Sequence, residues 1–135
     1  MASARESMEA ELKSVVIPTL RVSGFKGSYP HFRRFVEGGI DLLSFQHDKW
    51  GGGFVIEIAC APPDGVTTYW GKAVAPNKVT AQNLHPDKRM RLKPYEGAGR
   101  DSWFRYDRGQ FRACAEQVLA ALPCAEAWWS SVRPA

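Results

Sequence analysis

Phe54-Val55-Ile56-Glu57-Ile58-Ala59-Cys60 is the stretch that decides the fold. Side chains along a strand point alternately to opposite faces. Phe54, Ile56, Ile58 and Cys60 therefore share one face, and Val55, Glu57 and Ala59 the other. The first face is wholly apolar and the second carries a charge. That is the pattern of an antiparallel sheet covered on one face. Pro62-Pro63-Asp64-Gly65 ends the strand as a turn.

Working upstream, residues 40–46 read as the preceding strand. Glu37-Gly38-Gly39 is a hairpin turn signal, and residues 31–36 and 25–28 read as two further short strands. Before them the period becomes helical: Met8, Leu12, Val15, Val16 and Leu20 recur on one face. Ser3 and Glu6 stand at capping-box spacing. Pro18 should kink this helix or end it near Ile17, and Gly24 is a natural C-terminal stop.

Downstream, the signal is weak from 66 to 82, with a short strand expected at 67–70. Residues 89–93 and 102–106 read as strands flanking a glycine-rich loop at 96–99. Asp107, with Gln110 three residues on, is the expected N-cap of a helix buried through Phe111, Cys114, Ala115, Val118, Leu119 and Leu122. Pro123 is expected to break it, leaving a short last helix with Trp128 and Val132 on one side. Helix, strands, then helices make an α+β domain over residues 1–135. An antiparallel sheet of four to six strands would be packed by the N-terminal helix and the C-terminal helices.

Composition is that of an ordinary globular protein, with 44% apolar, 24% charged and 12% aromatic residues in a chain of 135. Glu6, Glu9, Glu11 and Lys13 interrupt any signal-peptide core. No window approaches the roughly 18 apolar residues of a membrane span. Cys60, Cys114 and Cys124 are odd in number and lack C-x-x-C spacing, so reduced, buried thiols and a cytoplasmic location are expected, with no membrane partner.

Three stretches together resemble a known family. Gly24-Phe25-Lys26 follows the Pro18 helix, and Phe45-Gln46 precedes Lys49-Trp50 and the glycines before Phe54. Arg89-Met90-Arg91-Leu92 precedes Arg100-Asp101-Ser102-Trp103-Phe104. The chain is similar, from about Met8 to the Trp128-Trp129 pair, to the bacterial domain of unknown function 4304 family. Phe-Gln-x-x-Lys-Trp is the most specific piece. The resemblance implies a bacterial source and a compact α+β fold, and carries over no catalytic residue. Phe104 stands where the family often has a second Trp, and the glycine run at 51–53 is also a departure.

Two segments are candidates for function. Ser44-Phe45-Gln46-His47-Asp48-Lys49-Trp50 runs from a strand end into Gly51-Gly52-Gly53, where binding groups commonly sit. Gln46, His47, Lys49 and Trp50 are its candidate contacts. The plainer reading is a hairpin in which Trp50 caps the core. His47 and Asp48 as a catalytic pair would need a turn to bring them together, and Ser44 lacks a nucleophile elbow. His31, His47 and His85 lack metal-site spacing, and no phosphate-cradling glycine motif is present, so no cofactor is expected.

The second segment, residues 85–112, holds eight Lys or Arg against four Asp or Glu, an excess equal to the net +4 of the whole chain. Arg89, Arg91 and Lys93 would share one strand face, with Trp103 among the interleaved aromatics. Such a surface suits an acidic protein partner or single-stranded nucleic acid. The plainer reading is a solvated strand face with its aromatics turned inward. A net +4 and a pI of 9.1 are modest for a dedicated nucleic-acid protein. The favoured expectation is a non-catalytic interaction protein with an acidic partner, in its sharper form an immunity-like protein masking a toxin. A nucleic-acid module is the alternative, and a hydrolase or transferase at the His47 loop is third.

Overall fold

In the computed structural model, which describes residues 2–133, the two most strongly alternating stretches pair as the sheet's centre. These are β3 (Gly39–His47) and β4 (Gly53–Ala61), antiparallel from Ile40 opposite Ala61 to His47 opposite Phe54. β2 (His31–Val36) joins β3 through the Glu37-Gly38 turn, and β1 (Lys26–Ser28) lies outside β2. The other edge of β4 is shared end to end. A short ribbon of β5 (Val66–Thr67) and β6 (Ala73–Val74) precedes β7 (Arg89–Arg91), which pairs with residues 57–59 of β4. β8 (Phe104–Arg105) pairs with Gly53 and Phe54. The result is a six-stranded antiparallel sheet with helices at both chain ends, an α+β fold.

The helical face carries the main core. α1 (Ala4–Glu11) opens with the Ser3–Glu6 capping box, passes through a π-helical turn at Leu12–Val16 and continues as α2 (Ile17–Val22). Met8, Leu12, Val16 and Leu20 are buried against Phe32, Leu43, Phe45, Phe54 and Ile56. α3 (Phe111–Val132) adds Cys114, Ala115, Val118, Ala121, Ala125 and Trp129. A buried ring such as Phe54 contributes about 1.5–3 kcal/mol. Asp41, fully buried on β3, accepts from Arg34 (2.8 Å) and Arg133 (2.6 Å), and Arg34 also reaches Glu126 of α3 at 2.5 Å. A buried carboxylate persists only when so paired.

Several expectations are corrected. The sheet is covered on both faces at its centre: Ile40, Leu42, Ala59 and Ala61 pack under Val79, Ala81 and Leu84 of the long β4–β7 connection. Glu57, the charge that marked that face as solvent-facing, is almost buried and paired with Arg89 at 3.0 Å.

Pro18 does not end the first helix, because the π turn immediately before it absorbs the missing amide. Pro123 does not break α3. It lies exposed on the outer side, while Ala121, Ala125 and Trp129 hold the inner side to the sheet. Trp129 Nε1 donates to the Ala59 carbonyl at 3.0 Å. The inward tryptophan is thus Trp129, whereas Trp128 is half-buried and Val132 exposed. The cap of α3 is Gln110, not Asp107, and the expected strand at 67–70 is the turn-and-ribbon β5–β6. Of the thiols only Cys114 is buried; Cys124 is exposed, and all three are free.

Candidate functional site

The end of β3 and the turn into β4 place Gln46, Lys49 and Trp50 in solvent. Asp48 shapes it: its backbone amide donates to Gly53 (3.0 Å) and its carboxylate accepts from the Trp50 amide (3.0 Å). Gly51 and Gly52 take φ of +88° and +84°, which L side chains rarely adopt. Trp50 is 85% exposed, with Lys49 over its ring at 5.1 Å, so it does not cap the core. Trp103, half-buried, lies beside these glycines at a shallow cavity of ≈ 240 Å³ that Asp48, Arg105 and Asp107 also line.

His47 turns the other way. Its side chain is 1% exposed, with Tyr29 Oη 2.5 Å from Nε2 and Tyr106 Oη 3.1 Å from Nδ1. A neutral imidazole donates from one nitrogen and accepts at the other, so one tyrosine donates to the ring and the other accepts from it. Burial, with a smaller contribution from Arg5, lowers the His47 pKa below its ordinary value. Glu9, 3.9 Å away, opposes the shift in part. Burial likewise raises both tyrosines. The cluster ties the β1–β2 turn, β3 and the chain after β8 together, with both ring nitrogens engaged and Glu9 of α1 nearby. The other histidines stand apart: His31 is 2.7 Å from Ser44 Oγ, and His85 is 2.5 Å from Asp87. Among the described residues no group of three His, Cys, Asp or Glu could hold a metal ion.

The second segment builds a more open site. On β7, Arg89 and Arg91 face one way and Met90 the other, as the alternation predicts. Arg89 is taken up internally, by Glu57 and by the Leu84 carbonyl at 2.8 Å. Arg91 and Lys93 are exposed and have no ion pair among the described residues; Lys93 Nζ donates to the Gly99 carbonyl. Between this edge and α3 runs a groove of ≈ 740 Å³. Its apolar lining comes from Met90, Leu92, Pro94, Ala120, Ala121 and Cys124. Arg91, Lys93, Tyr95, Glu96 and Gln117 supply its polar parts.

The structure thus separates the eight candidate residues. Lys49 and Trp50 belong to the β3–β4 turn, with Gln46 at the end of β3 and Trp103 beside the turn; Arg91 and Lys93 belong to the groove, and Arg89 and His47 to internal networks. Phe104 and Tyr106, interleaved with the basic residues in sequence, are buried in the core. Sequence reasoning missed the helical wall of the groove. Its signal was present in the small or short side chains Gln117, Ala120, Ala121 and Cys124, which recur at helical spacing and leave room beside the strand. Tyr29 and Tyr106 had no such signal as partners of His47, being 18 and 59 residues away in sequence.

Among the described residues no helix is long and apolar enough to cross a membrane. A family model described as Domain of unknown function (DUF4304) matches residues 16–131. No curated protein and no solved structure matches the chain.

Proposed function

For a chain that belongs to the DUF4304 family, we propose a non-catalytic binding role in the bacterial cytoplasm, with an acidic protein segment held at the groove between β7 and α3. The observation that carries this reading is the pairing of an aliphatic groove with two exposed cations, Arg91 and Lys93, that have no carboxylate partner among the described residues. An apolar floor with a few charged groups at its margin is the general form of a recognition site.

The aliphatic lining favours a protein segment over single-stranded nucleic acid, which needs a row of aromatic platforms. Among the described residues Tyr95 is the only aromatic one lining the groove, because Phe104 and Tyr106 face inward, Trp50 belongs to the β3–β4 turn and Trp103 lies beside that turn. Exposed charge pairs contribute about 0.2–1 kcal/mol each. Apolar anchoring therefore supplies most of the affinity, and the cations set the sign of the partner and its rate of arrival.

The test compares wild-type protein with the R91E/K93E variant as bait in lysate of the source organism, with and without nuclease. Support is a stoichiometric protein that survives nuclease and is lost with the charge-reversed bait. Equal capture by both baits would overturn the proposed site, and material that vanishes with nuclease would replace it with a nucleic-acid module.

A further inference from the structure

We infer that the acidic segment binds as an added β-strand on the outer edge of β7, resting on the reading of that groove as the partner's site. β7 is the last strand of its sheet path, bonded to β4 on one side only. Leu92 N–H donates to Ile56 O at 2.9 Å, and Met90 stands opposite Ile58. In an antiparallel pair the residues that exchange hydrogen bonds alternate with those that do not. Met90 and Leu92 therefore direct their backbone groups to β4. Arg89 and Arg91 direct theirs outward, where a further strand would meet them.

Both sides of this edge are hollow. The ≈ 740 Å³ groove lies on the side of Met90 and Leu92, and a cavity of ≈ 320 Å³ lined by Glu57, Pro86, Arg89 and Arg91 lies on the other. A strand laid along the edge would send alternate side chains into the two hollows. Apolar residues suit the first. Acidic residues suit the second, where Arg91 has no partner among the described residues and Arg89 already holds Glu57.

The same charges select against a second copy. Antiparallel pairing of two β7 edges would bring Arg89 and Arg91 of one chain against those of the other, and like charges directly opposite are destabilising. Cationic edges are a common defence against self-pairing, and here that defence leaves an acidic strand as the complementary occupant. The inferred ligand is an extended segment alternating Asp or Glu with apolar residues.

Selection from a displayed library of random peptides on the full chain tests this. Expected sequences carry acidic residues at i and i+2 with apolar residues between. A selected peptide is then measured against two variants, R91A and R91P. Both remove the charge, but only R91P removes the outward N–H, and proline is tolerated on an edge strand whose N–H faces away from its neighbour. Binding should fall at least about tenfold further in R91P than in R91A, in line with the loss of one buried backbone hydrogen bond. Should R91P not fold, N-methylation of single peptide residues gives the same comparison: every second position should abolish binding.

Acidic peptides with helical i, i+4 spacing, or indifference to R91P and to N-methylation, would overturn strand addition while leaving the acidic partner in place. Enrichment of peptides without acidic residues, or of none, would overturn both.

Discussion

His47 shows how a residue singled out for chemistry can be fixed by its surroundings as a structural pin. Tyr29 and Tyr106 engage both ring nitrogens, and burial, then Arg5, lowers its pKa. His31 is shifted the same way, chiefly by burial and then by Arg33. The unfolded chain, with histidines near the ordinary ~6.5, takes up protons at a pH where the folded chain does not. Their contribution is therefore complete above that value and declines as pH falls toward the lowered folded pKa. Urea midpoints should drop between pH 7 and pH 5, and His47→Gln should flatten the dependence even though it lowers stability at pH 7. An unchanged slope in that variant would remove His47 from the account. The thiols give a second check at this scale. Burial pushes Cys114 up to about 12 and also raises Cys60, whereas Cys124 is exposed beside the groove. Thiolate is the reactive form, so a maleimide should label Cys124 first, Cys60 slowly and Cys114 only on unfolding. A fast phase that survives Cys124→Ser would contradict this order.

At the scale of elements, the long strands and both ends of the first helix are legible in the sequence, and the effect of the prolines and the start of α3 are not, for reasons visible in particular residues. Alternation at 31–36, 39–47 and 53–61 is local and is reinforced by cross-strand pairing, so the three longest strands were legible within a residue or two. The prolines were not, because proline sets a local cost that packing can override. Met8, Leu12, Val16 and Leu20 recur every four residues, a spacing that overshoots a 3.6-residue turn by about 40° at each step. The extra residue of the π turn at Leu12–Val16 corrects that drift just before Pro18. The four-residue spacing was therefore a legible sign of a widened helix. In α3, Pro123 deprives the Leu119 carbonyl of its N–H partner, while Val118 and Ala121 before it and Ala125 and Trp129 after it keep both halves docked. A proline within a helix costs about 3 kcal/mol, partly offset by the stiffer unfolded chain. Pro123→Ala should accordingly stabilise the protein by about 1–2 kcal/mol, seen as a higher melting temperature with unchanged far-UV helicity. A loss of stability would mean that the proline ring is needed for packing.

For the whole molecule, the sequence was readable wherever one face of one element set the pattern, and unreadable where a long connection folded back. Ala59 and Glu57 looked like a solvent face because nothing local announces that residues 79–84 will cover Ala59 or that Arg89 will pair with Glu57. The groove was half legible for the same reason: its cations lie at and just after the end of one short strand, but its wall comes from a helix some thirty residues on. The second core is smaller than the first and is roofed by loop, the two-residue strands β5 and β6 and a short 3-10 turn at Ala81–Asn83, rather than by a long helix. Regions with few buried apolar side chains open locally at lower free energy than the global transition. Backbone amides of β3 and β4 should therefore exchange with solvent only through global unfolding, while those of residues 66–84 exchange through a cheaper local opening. Leu84→Ala should cost about 2 kcal/mol at its own site and speed exchange across 66–84 by roughly thirtyfold, since each 1.4 kcal/mol is a factor of ten. It should leave the helix-side packing of Phe54 undisturbed. Phe54→Ala, placed where α1, α3 and the sheet meet, should instead speed exchange in every element together. If Leu84→Ala loosened α1 and α3 as much as the loop, the two faces of the sheet would form one cooperative core.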